Sequence, residues 1–89
     1  MIYESDVERC LCDGAKELGG ECLKAGQDGW PDRLLVLPGG TLVWCELKRQ
    51  GGRLAPLQRL RIMRLRDLGQ RVEVVWSKAD ALRLLKELA

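Results

Sequence analysis

Two β-rich runs held apart by three turn-forming residues constrain this chain more than anything else in it. Asp32 to Leu37 and Thr41 to Lys48 flank Pro38-Gly39-Gly40. Branched and aromatic side chains suit a pleated, half-buried surface, and a proline-glycine-glycine stop between such runs predicts an antiparallel hairpin. With those three residues as the loop, Leu37 faces Thr41, and Asp32 lies opposite Glu46. Facing residues carry their Cβ atoms about 4.5–5.5 Å apart, where like charges are destabilising. A bulge or a longer turn would shift this register by a residue. Alternation along the second strand places Leu42, Trp44, Glu46 and Lys48 on one face and Val43, Cys45 and Leu47 on the other. Glu46 and Lys48 are then roughly 6–7 Å apart along the strand. Two carboxylates so close need a reason, and a divalent cation is the simplest. Mg²⁺ takes oxygen ligands, commonly one or two carboxylates with waters and a substrate phosphate. The plainer alternative makes Glu46 and Lys48 an end-of-strand charge pair and Asp32 a turn residue after Pro31.

The remaining elements follow from periodicity and punctuation. Ser5-Asp6-Val7-Glu8 reads as a capping box, opening a helix whose Val7, Leu11, Ala15 and Leu18 recur at helical spacing until Gly19-Gly20 stops it. Gly14 inside that helix suggests a close packing contact, since glycine there costs about 1 kcal/mol relative to alanine. Glu21 to Ala25 reads as a short strand, and Arg71 to Trp76 as another. A helix over Leu57–Leu68 starts behind Pro56 and ends at Gly69, and Ser77 caps a last helix in which Leu82, Leu85 and Leu88 share a face. The expected order is α-β-β-β-α-β-α, within one domain spanning residues 1–89. In the helix 57–68, Leu57, Leu60, Ile62, Met63, Leu65 and Leu68 spread around most of the circumference. A helix apolar on several sides needs several partners, which hints at a dimer.

Charge points to the partner. From residue 47 to 71 there are eight cations (Lys48, Arg49, Arg53, Arg59, Arg61, Arg64, Arg66 and Arg71) against one acid, Asp67, although the whole chain carries only +2. Such clustering is the usual footprint of a phosphate-bearing partner, with a solvated helix face as the plain alternative. The chain has no histidine, so chemistry must run on carboxylates, lysine, cysteine or a bound ion. Four cysteines without a C-x-x-C pair disfavour zinc, and without a sign of secretion disulfides are also not expected; small buried hydrophobes are the expectation. Hydrophobic residues at 46% with 31% charged exclude a disordered tail. No apolar run approaches the roughly 18–20 residues of a membrane span, and the acidic N-terminus lacks a signal peptide's apolar stretch. A soluble intracellular (cytoplasmic) protein, with no membrane partner and no organic cofactor, is expected.

Gly29-Trp30-Pro31-Asp32, followed by Glu46-Leu47-Lys48 and by Pro56-Leu57-Gln58 opening a helix, resembles the PD-(D/E)XK nuclease superfamily, most closely its virus-type replication-repair nuclease (VRR-NUC) domain. The likeness runs from Glu4 to the valine-rich strand after Gly69. It implies an α/β (α+β) fold: a restriction-endonuclease-like core with a mixed central sheet flanked by helices. It also implies metal-dependent hydrolysis of DNA phosphodiesters. Asp32 and Glu46 match positions that hold Mg²⁺ or Mn²⁺, the carbonyl of Leu47 matches one that often completes the shell, and Lys48 matches the lysine that orients the attacking water. Glu4 best matches a supporting first-helix glutamate, with Glu8 as the alternative, and Gln58 matches a position near the active site. Trp30 and Ala55 depart from the pattern, which usually has a small or aliphatic residue and a capping serine there. Stand-alone members resemble Holliday-junction resolvases in pairing as homodimers, and several act on branched DNA.

These readings converge on a Mg²⁺- or Mn²⁺-dependent, structure-selective DNA endonuclease acting on four-way junctions or flaps. Arg49, Arg53, Arg59 and Arg66 are candidate backbone-phosphate contacts, which position DNA without reading its sequence. Two competitors stand beside this: a non-catalytic nucleic-acid-binding module using the basic 48–71 segment, and a small structural subunit with no nucleic-acid partner.

Overall fold

The hairpin forms with the expected turn and register. In a computed structural model describing residues 4–89, with side chains from residue 5 onward, β2 (Arg33–Leu37) and β3 (Thr41–Leu47) pair antiparallel from Leu37↔Thr41 to Arg33↔Cys45. Pro38–Gly40 folds into one short 3₁₀ turn, and Gly39 and Gly40 both adopt φ near +80°, which residues with a Cβ avoid. Around this hairpin lie α1 (Glu4–Glu17), β1 (Glu21–Lys24), α2 (Pro56–Asp67), β4 (Arg71–Val75) and α3 (Lys78–Leu88). The expected element order holds. Each expected strand after the first helix is one residue shorter at one end.

The four strands form one mixed sheet in the order β1-β2-β3-β4, with β3 and β4 parallel. A parallel pair needs a crossover, and α2 supplies it. Alternation then sorts the side chains into two cores. Val43, Cys45 and Leu47 of β3, with Leu35, Leu37 and Val75, pack against Val7, Leu11 and Ala15 of α1 and Ala81, Leu84 and Leu85 of α3. On the opposite face, Trp44, Val72 and Val74 pack with Ile62 and Leu65 of α2, Trp30 and Leu54. Trp44 also donates its indole N–H to Oε1 of Gln70, 3.1 Å away, so its polar atom is satisfied inside this smaller core.

Local chemistry sets the element ends. Both α1 and α2 close in the same manner, with a glycine at φ +88° or +85° and the next amide reaching back to a carbonyl of the last turn (Gly20 to Ala15, Gln70 to Leu65; both 2.9 Å). Ser77 caps α3 by accepting from the Asp80 amide. Gly14 has the expected close neighbour: a Cβ there would run into the Leu85 side chain where α1 crosses α3.

Two expectations are corrected. Ser5 sits inside α1, which already includes Glu4, so Ser5-Asp6-Val7-Glu8 is not an N-terminal cap. A capping-box pattern within a longer helix carries the same letters as one at its start. Cys12 and Cys22 are bonded as a disulfide, their Cα atoms 5.1 Å apart, and the bridge ties α1 to β1. Only Cys10 and Cys45 are free. The sequence has no signal for this pairing, which arises because α1 lies beside the edge strand. No helix among the described residues is long and apolar enough to cross a membrane.

Candidate active site

The site grows from the frayed end of the hairpin. Arg33↔Cys45 is the last registered pair of β2 and β3, so the next step outward sets Asp32 opposite Glu46. Because β2 has ended there, the Leu47 amide, which points toward that strand, has no backbone acceptor. The Asp32 side chain supplies one, its Oδ2 accepting the Leu47 N–H at 2.8 Å. The Asp32 backbone looks the other way, its carbonyl accepting the Ala25 N–H at 3.0 Å. Asp32 is thereby fastened between the loop after β1 and the end of β3. Within one strand residue the N–H and C=O point to the same side, so the Leu47 carbonyl is directed toward Asp32 as well.

Glu46 is 1% exposed and is the one buried charged side chain among the described residues. It shares its face of β3 with Trp44 and therefore looks toward the α2 side of the sheet. Lys48, half-buried, follows immediately, its amide continuing the parallel ladder to the Val75 carbonyl at 3.0 Å. Strand alternation puts Lys48 on the Glu46 face.

Above this strand end opens a cleft of about 360 Å³, lined by residues 24–30, Asp32, Glu8 and Gln58. It gathers one residue from each of three elements on which the sequence reading relied: α1, the start of β2 and the first turn of α2. Gln58 stands here because it also caps its own helix, Oε1 accepting the Ala55 N–H at 2.8 Å; alanine has no side-chain acceptor, so only this half of a capping box exists. Glu8 is turned toward Arg33, whose Nε donates to Oε2 at 2.7 Å and whose Nη1 reaches the Cys22 carbonyl at 3.4 Å. The Glu4 side chain lies outside the described residues. A larger groove, about 640 Å³ between α1 and α3, lies on the other face of the sheet, away from Asp32 and Glu46.

The basic segment separates into two sets. Arg49, Arg53 and Arg59 are exposed, the first two on the loop between β3 and α2. Arg66 donates to the Val72 carbonyl at 2.7 Å, and Arg71 ion-pairs with Glu73 and Glu87. The hydrogen bond to Glu87 is the main reason the Arg71 guanidinium holds its proton more tightly than usual. Sequence reasoning missed Arg33 and the Trp30–Arg61 stack, in which the guanidinium carbon lies 4.7 Å from the ring centroid. Alternation could have found Arg33, since it must face α1 when Asp32 faces away. The stack depends on how the loop 26–30 folds onto α2, which no local pattern carries.

No group of three or more histidine, cysteine or acidic side chains converges among the described residues. The donors that the hairpin register sets at one strand end are hard oxygens: the carboxylates of Asp32 and of Glu46 opposite it, and the Leu47 carbonyl. That set fits Mg²⁺ or Mn²⁺, which need one or two carboxylates and complete their shell with water, and it does not fit a thiolate-seeking ion.

No protein-family model matches the chain. Among curated proteins, one named "Putative nuclease p44", from Acyrthosiphon pisum secondary endosymbiont phage 1, is 35% identical over 81 residues, covering 88% of this chain and 87% of the relative. A solved structure described as a VRR_NUC domain superposes with a TM-score of 0.88 at 29% identity, over 97% of each chain. A relative this similar across nearly its full length, and a solved fold matching nearly every residue, mean that this chain belongs to the VRR-NUC family of nuclease domains.

Proposed function

We propose that this nuclease domain is a Mg²⁺- or Mn²⁺-dependent DNA endonuclease that prefers branched substrates such as four-way junctions or flaps, and works as a homodimer in the cytoplasm of a bacterial or phage-infected cell. The observation that carries the reading is the placement of Asp32 one step beyond the last hairpin pair, opposite the buried Glu46, with Lys48 following on the same strand.

Asp32 and Glu46 would hold the ion, with the Leu47 carbonyl as a further ligand. When bound, the ion lowers the pKa of a water molecule and neutralises charge on the phosphate. The chain's own groups do the rest. Asp32, fixed by the Leu47 amide and the Ala25 backbone, loses little freedom on taking a ligand. Burial of Glu46 keeps its carboxylate out of water, in surroundings where charge acts more strongly. Lys48 orients the attacking water and meets the negative charge that develops on the phosphate oxygens. Gln58 and Glu8 line the cleft, and a first-helix glutamate (Glu4, or Glu8 one turn on) would support the ion. The exposed Arg49, Arg53 and Arg59 contact backbone phosphates around the cleft. Because those contacts carry no base information, shape is selected over sequence.

The test incubates purified protein with duplex, flap and four-way-junction DNA in Mg²⁺, Mn²⁺ or chelator. Cleavage is expected with either metal and not with chelator. It should vanish in Asp32→Ala and Glu46→Ala, and in Lys48→Ala while DNA affinity is largely kept. Cleavage that survives loss of either acid rejects the site. Salt-sensitive binding without cleavage, indifferent to Glu46→Gln, returns the non-catalytic binding module instead.

A further inference from the structure

We infer that Arg61, laid over the Trp30 ring at the wall of the Asp32 cleft, is a dedicated contact for a phosphate of the DNA entering that cleft. The inference rests on the nuclease reading above and adds to it a residue outside the exposed arginines already assigned. Trp30 lines the cleft together with Asp32 and Gln58, and Arg61 follows Gln58 by three positions, on the same side of α2. The loop before Asp32 is pressed onto that helix: a Cβ on Gly29 would come within 2.6 Å of Leu57 and 3.5 Å of the Arg61 stem. Ring and guanidinium are thus held together by backbone placement as well as by attraction of the cation to the ring face.

The other arginines with fixed geometry are already committed. Arg33 pairs with Glu8, Arg66 with the Val72 carbonyl, Arg71 with Glu73 and Glu87, and Arg83 with Asp80. Arg61 enters none of the ion pairs of the described residues, and its Nε–H is buried with no hydrogen-bond acceptor. A guanidinium that is ordered, partly desolvated and outside the ion pairs of the described residues is prepared for an anion whose paired oxygens its outer N–H groups can meet. The DNA phosphodiester backbone has that chemistry. The exposed Arg49, Arg53 and Arg59 must lose rotamer freedom on binding, whereas Arg61 has lost it already. Arg61 is a DNA-positioning residue: it touches the strand beside the cleft, not the reacting atoms.

Binding of a fluorescent duplex, measured by anisotropy in chelator between about 50 and 200 mM salt, separates this from a structural role. Each duplex phosphate contact contributes about 0.9 to the slope of log affinity against log salt, so Arg61→Gln should flatten the slope by about that amount. Arg83→Gln, on the far side of the sheet, should leave it unchanged. Arg61→Lys keeps stem and charge and guards against a folding failure of the first variant. It should keep the slope and weaken binding several-fold, with part of that loss reproduced by Trp30→Leu. A wild-type slope in a folded Arg61→Gln protein, or undiminished affinity in Arg61→Lys, overturns the assignment and leaves the nuclease reading intact. A wild type that shows no salt-dependent DNA binding removes both.

Discussion

Glu46 has given up nearly all its hydration, and a carboxylate so buried costs several kcal/mol unless charges or hydrogen bonds return that energy. Replacing it with glutamine removes the charge and keeps the shape. A folded Glu46→Gln protein should therefore keep the wild-type circular dichroism while losing Mn²⁺ binding in a calorimetric titration. Unfolding of this variant would instead mark Glu46 as a structural anchor. Across the sheet from it sits a contrasting case, Cys45. Burial, and then the negative charge of Glu73, push this thiol from 9.0 up to about 12. Below pH 9 the thiol is neutral in both folded and unfolded chains and contributes no pH dependence. Between pH 9 and 12 the unfolded chain loses its proton while the folded one keeps it, so stability falls as pH rises through this window. Urea midpoints of wild type should decline faster over that range than those of Cys45→Val. Equal slopes would mean that the thiol reaches solvent. Alternation alone made both assignments legible, because Glu46 and Cys45 are neighbours in a strand and must face opposite ways.

Element by element, what could be read was what local chemistry pins. A three-residue stop between β2 and β3 leaves one comfortable register, so the Asp32–Glu46 apposition followed from counting. Helix ends at Gly19 and Gly69 followed from the need for a positive φ. The disulfide was not legible, because Cys12 and Cys22 belong to different elements and meet only once α1 docks on the sheet's edge beside Arg33 and Glu8. That bridge closes a short loop, with a sequence separation of 10. In the chain-entropy account such a loop is worth about 3 kcal/mol. Cys22→Ser should lower the unfolding free energy by that order, and reduction of the wild type should reproduce the loss. An unchanged stability on reduction would mean that the packing of α1 against β1 and α3 holds the corner without the bond.

At the scale of the whole molecule, α2 is divided against itself. Ile62 and Leu65 face the sheet and fill the smaller core, while Leu57, Leu60, Met63 and Leu68 remain exposed, Leu60 and Met63 at 62% and 60%. A helix turns about 100° per residue, so Leu60 and Met63 stand on the side opposite Ile62 and Leu65. The spread of apolar residues legible in the sequence thus becomes two faces, one used and one open. An open apolar stripe flanked by arginines is costly to leave in water, and a second copy of the chain would cover it with the same stripe, as two-fold pairing requires. Two copies would also bring two acid–lysine sites to one DNA, as cutting both strands of a junction demands. Leu60→Glu combined with Met63→Glu should therefore convert a sedimenting dimer to a monomer with unchanged circular dichroism, and turn paired cuts on a four-way junction into single nicks. A dimer that persists through both substitutions would move the interface elsewhere, with the groove between α1 and α3 as the next surface to mutate. A wild type that sediments as a monomer at all concentrations would leave the exposed stripe to the DNA itself.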